Sequence, residues 1–289
     1  MPRGRRHPGG RHRAAPADAR RLLHGARRAG REEAVIERVS GIALNTFRES
    51  IRDKVLVTLI VFAVLVMGSA RVIQPLALGE EAKIVKDLGL SAITLFCVLI
   101  SILVGGRIVY REVEKRTIYI ILAKPVRRWE FILGKYLGLM AVLVVSLAVM
   151  TAAFYAILLV LGVGAPLYLM LAVLMTLFQL AILTAVAVQF STFSTPITGA
   201  VFTFAVYFVG HLLRDLKLLA AMNPSPVVKV VSYILYYALP NLGNFNIRPE
   251  VVYGAPLDPL ALLFSGLYAL VYTATLLLIS TLIFNRKEF

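Results

Sequence analysis

The chain has 289 residues, of which 59% are hydrophobic, and a mean hydropathy of +0.80. A soluble domain carries a smaller apolar share, because it must present a polar surface to water. The excess is gathered in long blocks, and no Asp, Glu, Lys or Arg occurs between positions 136 and 213. Each helix that crosses a bilayer needs about 20 apolar residues. The composition therefore excludes a soluble protein and indicates several membrane-spanning helices.

The net charge of +15 is concentrated beside these blocks. Lys and Arg cluster in the first 38 positions and again between 107 and 135. Basic residues that flank apolar segments are typical of membrane proteins. The distribution predicts a lipid bilayer as the binding surface and argues against nucleic acid.

Residues that could carry catalysis or hold a cofactor are lacking. Cys97 is the one cysteine and lies in an apolar block, and three of the four histidines fall in the first 34 positions. No histidine cluster with metal-ligand spacing is therefore left in the rest of the chain. Gly134-Lys135 is similar to the end of a phosphate-binding loop, but Tyr136 follows where that loop needs Ser or Thr. We predict no catalytic residue, no metal site, no cofactor and no ATP hydrolysis by this chain itself.

Two domains are predicted. Residues 1–34 consist mainly of Arg, Gly, Ala, Pro and His, and such a segment buries too little apolar surface to offset its ordering entropy. We expect a disordered basic tail. The alternative is that this tail is not native and that translation starts at Val35. Residues 35–289 form the predicted transmembrane domain.

The segment 35–53 has helical periodicity, with one apolar and one charged face. The apolar positions are Val35, Val39, Ile42, Ala43, Phe47 and Ile51. An amphipathic helix directly before a spanning segment usually lies in the membrane interface. We predict such an interfacial helix, with packing on a soluble partner as the alternative.

Six apolar segments are long enough to cross a bilayer and predict an all-α polytopic membrane protein. The predicted spans are 55–73, 88–106, 136–161, 167–190, 197–213 and 259–284. An even number of spans puts both termini on one side, where 24 of the 31 Lys and Arg would lie. Because basic residues accumulate on the cytoplasmic side, we predict a multi-pass protein of the cell (inner) membrane with cytoplasmic termini.

The outer connection 214–258 contains one more apolar stretch, at 227–239. Ser225-Pro226 is a favourable helix start, but about 13 residues are too few to cross a bilayer. We predict a re-entrant or interfacial helix. If this helix crossed, the chain would have seven spans and an outward-facing C-terminus.

The middle of each predicted span lacks Asp, Glu, Lys and Arg. The polar residues there, among them Ser101, Gln179 and Thr184, are expected to form hydrogen bonds between helices. Proton- and ion-coupled transporters usually keep charged residues at this depth. The pattern therefore disfavours a proton-driven secondary transporter.

The connection 107–135 (RIVYREVEKRTIYIILAKPVRRWEFILGK) is the most unusual segment, and we name residues 107–130 the elbow. Its apolar residues are spaced for helices with one buried side, its remaining face is charged, and Pro125 divides it in two. Two interpretations are open from composition. The elbow is either a rigid projection on which a soluble partner acts, or a solvated loop that follows the positive-inside rule.

The elbow resembles the cytoplasmic loop of ABC-2 type transporter permeases. The resemblance is carried by Glu112, Glu114, Thr117, Pro125, Arg128, Gly134 and Lys135. Many members of that family have Gly before the threonine, where this chain has Arg116. The resemblance extends over residues 35–289 and includes LPNL at 239–242 and FN at 245–246 of the outer loop.

This resemblance implies a permease subunit, usually of an exporter, that works with a separate ABC ATPase subunit. Two permease copies, as a homodimer or a related heterodimer, and two ATPases would form the transporter. The elbow would supply the coupling helix, and the break at 191–196 would make a second, weaker contact. The residues expected at the ATPase interface are Glu112, Glu114, Lys115, Arg116, Thr117, Pro125, Arg127 and Arg128.

An alternative function belongs to a different class. Some permeases of this type are tied to the maturation of extracytoplasmic metalloenzymes. The chain would then be a membrane anchor or assembly factor that moves no substrate itself. A membrane-embedded enzyme is disfavoured by the missing catalytic residues.

Overall fold

A computed structural model describes residues 17–73, 79–110, 127–222 and 225–286. Regular structure within these ranges is helical throughout. The helices are α1 (Ala17–Ile51), α2 (Lys54–Gly68), α3 (Ala70–Ile73), α4 (Glu81–Ile108), α5 (Arg128–Val160), α6 (Leu169–Ser191), α7 (Pro196–Met222), α8 (Pro226–Ala238), α9 (Arg248–Tyr253) and α10 (Pro259–Asn285), with a 3-10 helix at Leu242–Phe245.

Six candidate spans among the described residues are long and apolar enough to cross a membrane. They are Lys54–Val72, which joins α2 and α3, then α4, α5, α6, the first part of α7 (Pro196–Leu213), and α10. The prediction of an all-α polytopic protein with about six spans is confirmed.

Helices α4 and α6 form the centre of the bundle, and their apolar segments are the most buried of the six. Ser101 and Thr184 link the two helices through hydroxyl oxygens 3.0 Å apart. Gly105 permits this close approach, because a Cβ at that position would lie 2.8 Å from the Cβ of Ala187. Helix α5 packs against both, while α2, α7 and α10 lie around them.

The outer helices leave large apolar side chains exposed. Examples are Phe62 and Leu65 on α2, and Leu263 and Leu278 on α10, each more than half exposed. Contiguous apolar surface of this kind marks a contact with membrane or protein. It agrees with a bundle surrounded by lipid.

Successive spans alternate in direction, so the connections gather at two ends of the bundle. We name the end that holds residues 52–53, 191–196 and 286 the elbow end, because the elbow leaves and re-enters the bundle there. The opposite end, which holds residues 79–80, 161–168 and 239–258, is the far end.

Several helices extend beyond the predicted spans. Helix α5 begins at Arg128, so residues 128–130 of the elbow and the third span belong to one continuous helix. Helix α7 continues past Leu213 to Met222. Hydropathy reports which part of a helix is apolar, and polar residues with good helix propensity can continue the same helix into water.

Helix α1 begins at Ala17, before the position near 35 at which periodicity places its start. Ala, Arg, Leu and Glu, which favour helix, predominate between 17 and 34. The helix packs along α5. The separation of residues 1–34 as a disordered tail stays a prediction, and residues 1–16 lie outside the described part of the chain.

At the far end, the segment after α8 folds into the bundle. Leu242, Phe245 and Val251 are buried, and the segment contacts α4, α6 and α7. Gly210 of α7 makes room for it, since a Cβ there would lie 2.8 Å from the carbonyl oxygen of Pro240. Helix α8 packs against α7 but keeps side chains such as Ile234 exposed.

Candidate functional site

The described parts of the elbow are a first arm, residues 107–110, and a second arm, residues 127–130. The first arm is tied to the junction between α1 and α2. Arg107, at the end of α4, donates from Nη2 to Oδ2 of Asp53 across 3.0 Å. The other carboxylate oxygen of Asp53 accepts from the backbone N–H of Val55 and caps α2. One carboxylate thus joins the start of the first span to the end of the second.

The same arm is also tied to the end of α6. The hydroxyl oxygen of Ser191 accepts from the backbone N–H groups of Val109 and Tyr110, at 2.9 and 3.3 Å. Gly106 lies close to the break at 191–196, because a Cβ there would meet the Pro196 carbonyl oxygen at 3.4 Å. The elbow and the break, predicted as separate contacts, are therefore neighbours in the structure.

The second arm re-enters the bundle at Arg127 and is held by an ion pair with α1. The guanidinium of Arg38 donates to both carboxylate oxygens of Glu130, at 3.0 and 3.1 Å. Glu130 also accepts from the backbone N–H of Arg127, which caps the start of α5. The side chain of Glu130 is 0% exposed and that of Arg38 is 31% exposed. A two-pronged contact between guanidinium and carboxylate fixes orientation as well as distance.

Arg128 connects this arm to the last span. Its Nη1 atom donates to the backbone carbonyls of Phe284 and Asn285, at 2.7 and 3.1 Å. A cation at the carboxyl end of a helix neutralises carbonyls that lack partners within the helix. The rings of Phe131 and Phe284 stack beside this contact, with centroids 5.8 Å apart.

Close packing of α1 on α5 supports the ion pair. A Cβ at Gly134 would lie 2.8 Å from the side chain of Ile42, and a Cβ at Gly138 would lie 2.5 Å from the carbonyl oxygen of Ala43. Gly134 belongs to the pattern on which the family resemblance rests, and the structure explains the need for glycine at this position. The next residue, Lys135, is 1% exposed, with Nζ 5.7 Å from the centre of the Phe131 ring.

The predicted interface residues fall into two groups. Glu112, Glu114, Lys115, Arg116, Thr117 and Pro125 lie outside the described residues. Arg127 is exposed at the start of α5, whereas Arg128 is directed onto the end of α10. Their role at an interface stays a prediction.

Four residues that sequence reasoning did not select form the base of the elbow: Arg38, Asp53, Arg107 and Glu130. A local signal existed for Glu130, which follows the first residue of the arm at the spacing of a capping box. Its partner Arg38 is 92 positions away, and no local pattern joins the two.

The base of the elbow contains acceptors and donors but no reaction centre. Within the described ranges, no group of three His, Cys, Asp or Glu residues is placed to hold a metal ion. The contacts of the two arms instead join the ends of α4 and α5 to four further elements, namely α1, α2, α6 and α10. Such an arrangement fixes both ends of the elbow to the bundle.

Fold and site together define a class: a polytopic membrane protein in which both ends of one long connection are anchored to the spanning helices. The family model described as ABC-2 family transporter protein matches residues 41–289. The chain belongs to this family and is the membrane subunit of an ABC transporter. No match was found among curated proteins.

Proposed function

We propose that the chain is the permease subunit of an ATP-driven exporter, and that a separate ABC ATPase subunit moves it through the elbow. Membership in the ABC-2 family supports pairing with an ATPase. The observation that carries the proposal is the anchoring of both arms. An ion pair and further hydrogen bonds hold each arm at the base of the bundle.

The proposed mechanism is rigid-body coupling. Closure of an ATPase dimer would displace the elbow, and packed helices respond to displacement by shifting as units. Helix α5 has 33 residues and, at 1.5 Å per residue, reaches about 50 Å from the elbow into the bundle. A displacement of its first turn would therefore also move the residues of α5 at the far end.

Residues of the elbow have different proposed roles. Glu112 and Glu114 are proposed as charged contacts to the ATPase, together with Lys115, Arg116 and the exposed Arg127. Thr117 and Pro125 are proposed to shape the coupling helix and its corner. Arg128 is proposed to carry the movement onward, because its guanidinium already bonds to α10.

The proposed assembly contains two permease copies, identical or related, and two ATPases. The exposed apolar faces of α2 and α10 provide surface for both a second copy and lipid. The excess of Lys and Arg at the elbow end supports cytoplasmic termini in the cell (inner) membrane. Export as the direction rests on the family alone.

The test is copurification of the ATPase with a tagged permease. The double variant Glu112→Lys/Glu114→Lys should lose most of the bound ATPase, because reversal of two charges opposes the complementary surface. Glu80→Lys/Glu81→Lys is the matched control, since these exposed residues lie at the far end. Undiminished ATPase binding and stimulation in the elbow variant would refute the coupling role.

A further inference from the structure

A polar cavity of about 50 Å³ lies between α4, α6, α7 and the buried segment of the far end. Its polar lining includes Thr94, Thr176, Gln179, Tyr207, His211 and Arg248. The predicted spans were expected to lack charge in their middle. The segment 239–258, which follows α8, places the guanidinium of Arg248 next to the spanning helices that line this cavity.

Arg248 has neutral partners in this cavity. Its Nε donates to Oδ1 of Asn246 at 3.0 Å, and its Nη1 donates to the hydroxyl of Ser91 on α4. Among the described residues, no Asp or Glu lies within ion-pair distance of it. A partly buried cation without a counter-charge is costly, and an anion in the cavity would compensate it.

Gln179 supplies the second, independent observation. Its side chain is 2% exposed, and its Nε2 amide has no hydrogen-bond partner within the described part of the chain. It contacts the side chain of Tyr207 on α7, although no hydrogen bond of normal geometry forms from its Nε2 amide to any described residue. A buried donor without a partner costs free energy, so this amide is placed to bind a group that enters the cavity.

The other lining side chains leave these donors available. Thr94 and Thr176 donate to carbonyls of their own helices, both at 2.9 Å. Nδ1 of His211 is 2.9 Å from the carbonyl oxygen of Tyr207, which holds the ring in place. Arg248, Gln179 and Tyr207 can each donate a hydrogen bond to a ligand in the cavity.

We propose that this cavity binds the carboxylate or phosphate group of a small anion or of a lipid headgroup. Arg248 supplies the charge, and Gln179 and Tyr207 supply hydrogen bonds. A volume of about 50 Å³ exceeds the roughly 10–15 Å³ that one water needs by the same measure, so one oxyanion group fits.

The cavity lies beside a wider groove at the far end. Asn246 lines both the cavity and a wider groove of about 580 Å³, which also borders Glu250, Asp258 and Tyr268. The binding site stands on this geometry alone. That the bound anion belongs to the exported molecule rests, in addition, on the proposed function.

The test is binding to the full chain, without ATPase, in nanodiscs of phosphatidylcholine. Acetate is detected by saturation-transfer NMR and inorganic phosphate by the width of its ³¹P signal. A second set of nanodiscs contains phosphatidylglycerol, and retained lipid is counted by native mass spectrometry. Because the ATPase is left out, failure of elbow coupling cannot affect the result.

We expect Arg248→Gln and Gln179→Leu each to weaken binding of the anion about tenfold or more, because each variant loses a hydrogen bond to a charged group. Lys229→Gln is the matched control, since it removes an exposed positive charge from α8 outside the cavity. Arg248→Gln also releases the outer segment from α4. Gln179→Leu removes only the contact with Tyr207 and should lower the unfolding temperature less than Arg248→Gln does.

If acetate or phosphate binds and both Arg248 and Gln179 are needed, the ligand is a free anion. If only phosphatidylglycerol binds, and both residues are needed, the ligand is a lipid headgroup. If wild type binds none of these probes, the cavity holds water and the proposal is wrong. The proposal is equally wrong if binding survives in Gln179→Leu and Arg248→Gln.

Discussion

At the scale of single residues, the ion pair between Arg38 and Glu130 has one buried and one partly exposed partner. Removal of a carboxylate from water costs several kcal/mol unless hydrogen bonds replace its hydration. Glu130 receives two such bonds from Arg38 and one from the backbone of Arg127. The pair therefore fixes the position of the elbow more than it adds to stability.

This asymmetry predicts unequal effects of neutralising the two partners. Arg38→Gln leaves the buried Glu130 carboxylate without a counter-charge and should cost about 3 kcal/mol of unfolding free energy. Glu130→Gln leaves a guanidinium that can reach water and should cost about 1–2 kcal/mol. Trp129, the single tryptophan, reports denaturant unfolding in detergent beside the pair.

Arg48→Gln is the control, because Arg48 is an exposed residue of the same helix and its loss should change stability by less than about 0.5 kcal/mol. Equal losses in Arg38→Gln and Arg48→Gln would show that the ion pair does not hold α1 on α5.

The sequence reveals the charged residues of the elbow but not the residues with which they pair. Local composition predicts that the elbow is charged and that it connects two membrane-spanning helices. Local composition does not predict the groups that bind these charged residues, because Arg38, Asp53 and the end of α10 come from distant parts of the chain. Arg128 illustrates the difference: the family resemblance implies a contact with the ATPase, and the fold adds hydrogen bonds to backbone carbonyls of α10 that local sequence did not indicate.

At the scale of elements, the contact of α1 with α5 depends on two glycines one helical turn apart. Gly134 and Gly138 lie on the face of α5 toward α1, where Ile42, Ala43 and Thr46 approach. Small residues at this spacing let two helices pack closely. The contact positions α1 so that Arg38 reaches Glu130.

An added methyl group at this contact should separate the helices. In Gly138→Ala the new Cβ would lie 2.5 Å from the Ala43 carbonyl oxygen, and overpacking of this kind costs about 1–3 kcal/mol. Thermal unfolding in detergent measures the loss. Gly41→Ala is the matched control on α1, since nothing lies within 4 Å of that position; it should gain about 0.5–1 kcal/mol.

A Gly138→Ala protein as stable as wild type would mean that α1 is not packed on α5 in this way.

Sequence periodicity predicted an amphipathic α1 but could not indicate its partner. The apolar blocks predicted the six spans, because a bilayer imposes a minimum apolar length. The actual helix ends at Arg128 and Met222 were missed, since Arg128 lies in polar sequence and the charged residues Arg214, Asp215 and Lys217 interrupt the apolar block before Met222.

At the scale of the whole molecule, the two ends of the bundle are built differently. The elbow end is held by ion pairs and hydrogen bonds to backbone groups. The far end is filled by a segment of the chain that carries Arg248 into the bundle. Hydropathy could not predict this segment, because its polar and apolar residues alternate without the length of a span.

The most direct measurement of the central claim is hydrogen–deuterium exchange of the chain in nanodiscs, with and without its ATPase. If the elbow is the coupling contact, exchange in peptides that cover 111–126 should slow on ATPase binding, while peptides that cover 239–258 should stay unchanged. Unaltered exchange over 111–126 in a complex shown to be intact, or protection confined to other segments, would contradict the account.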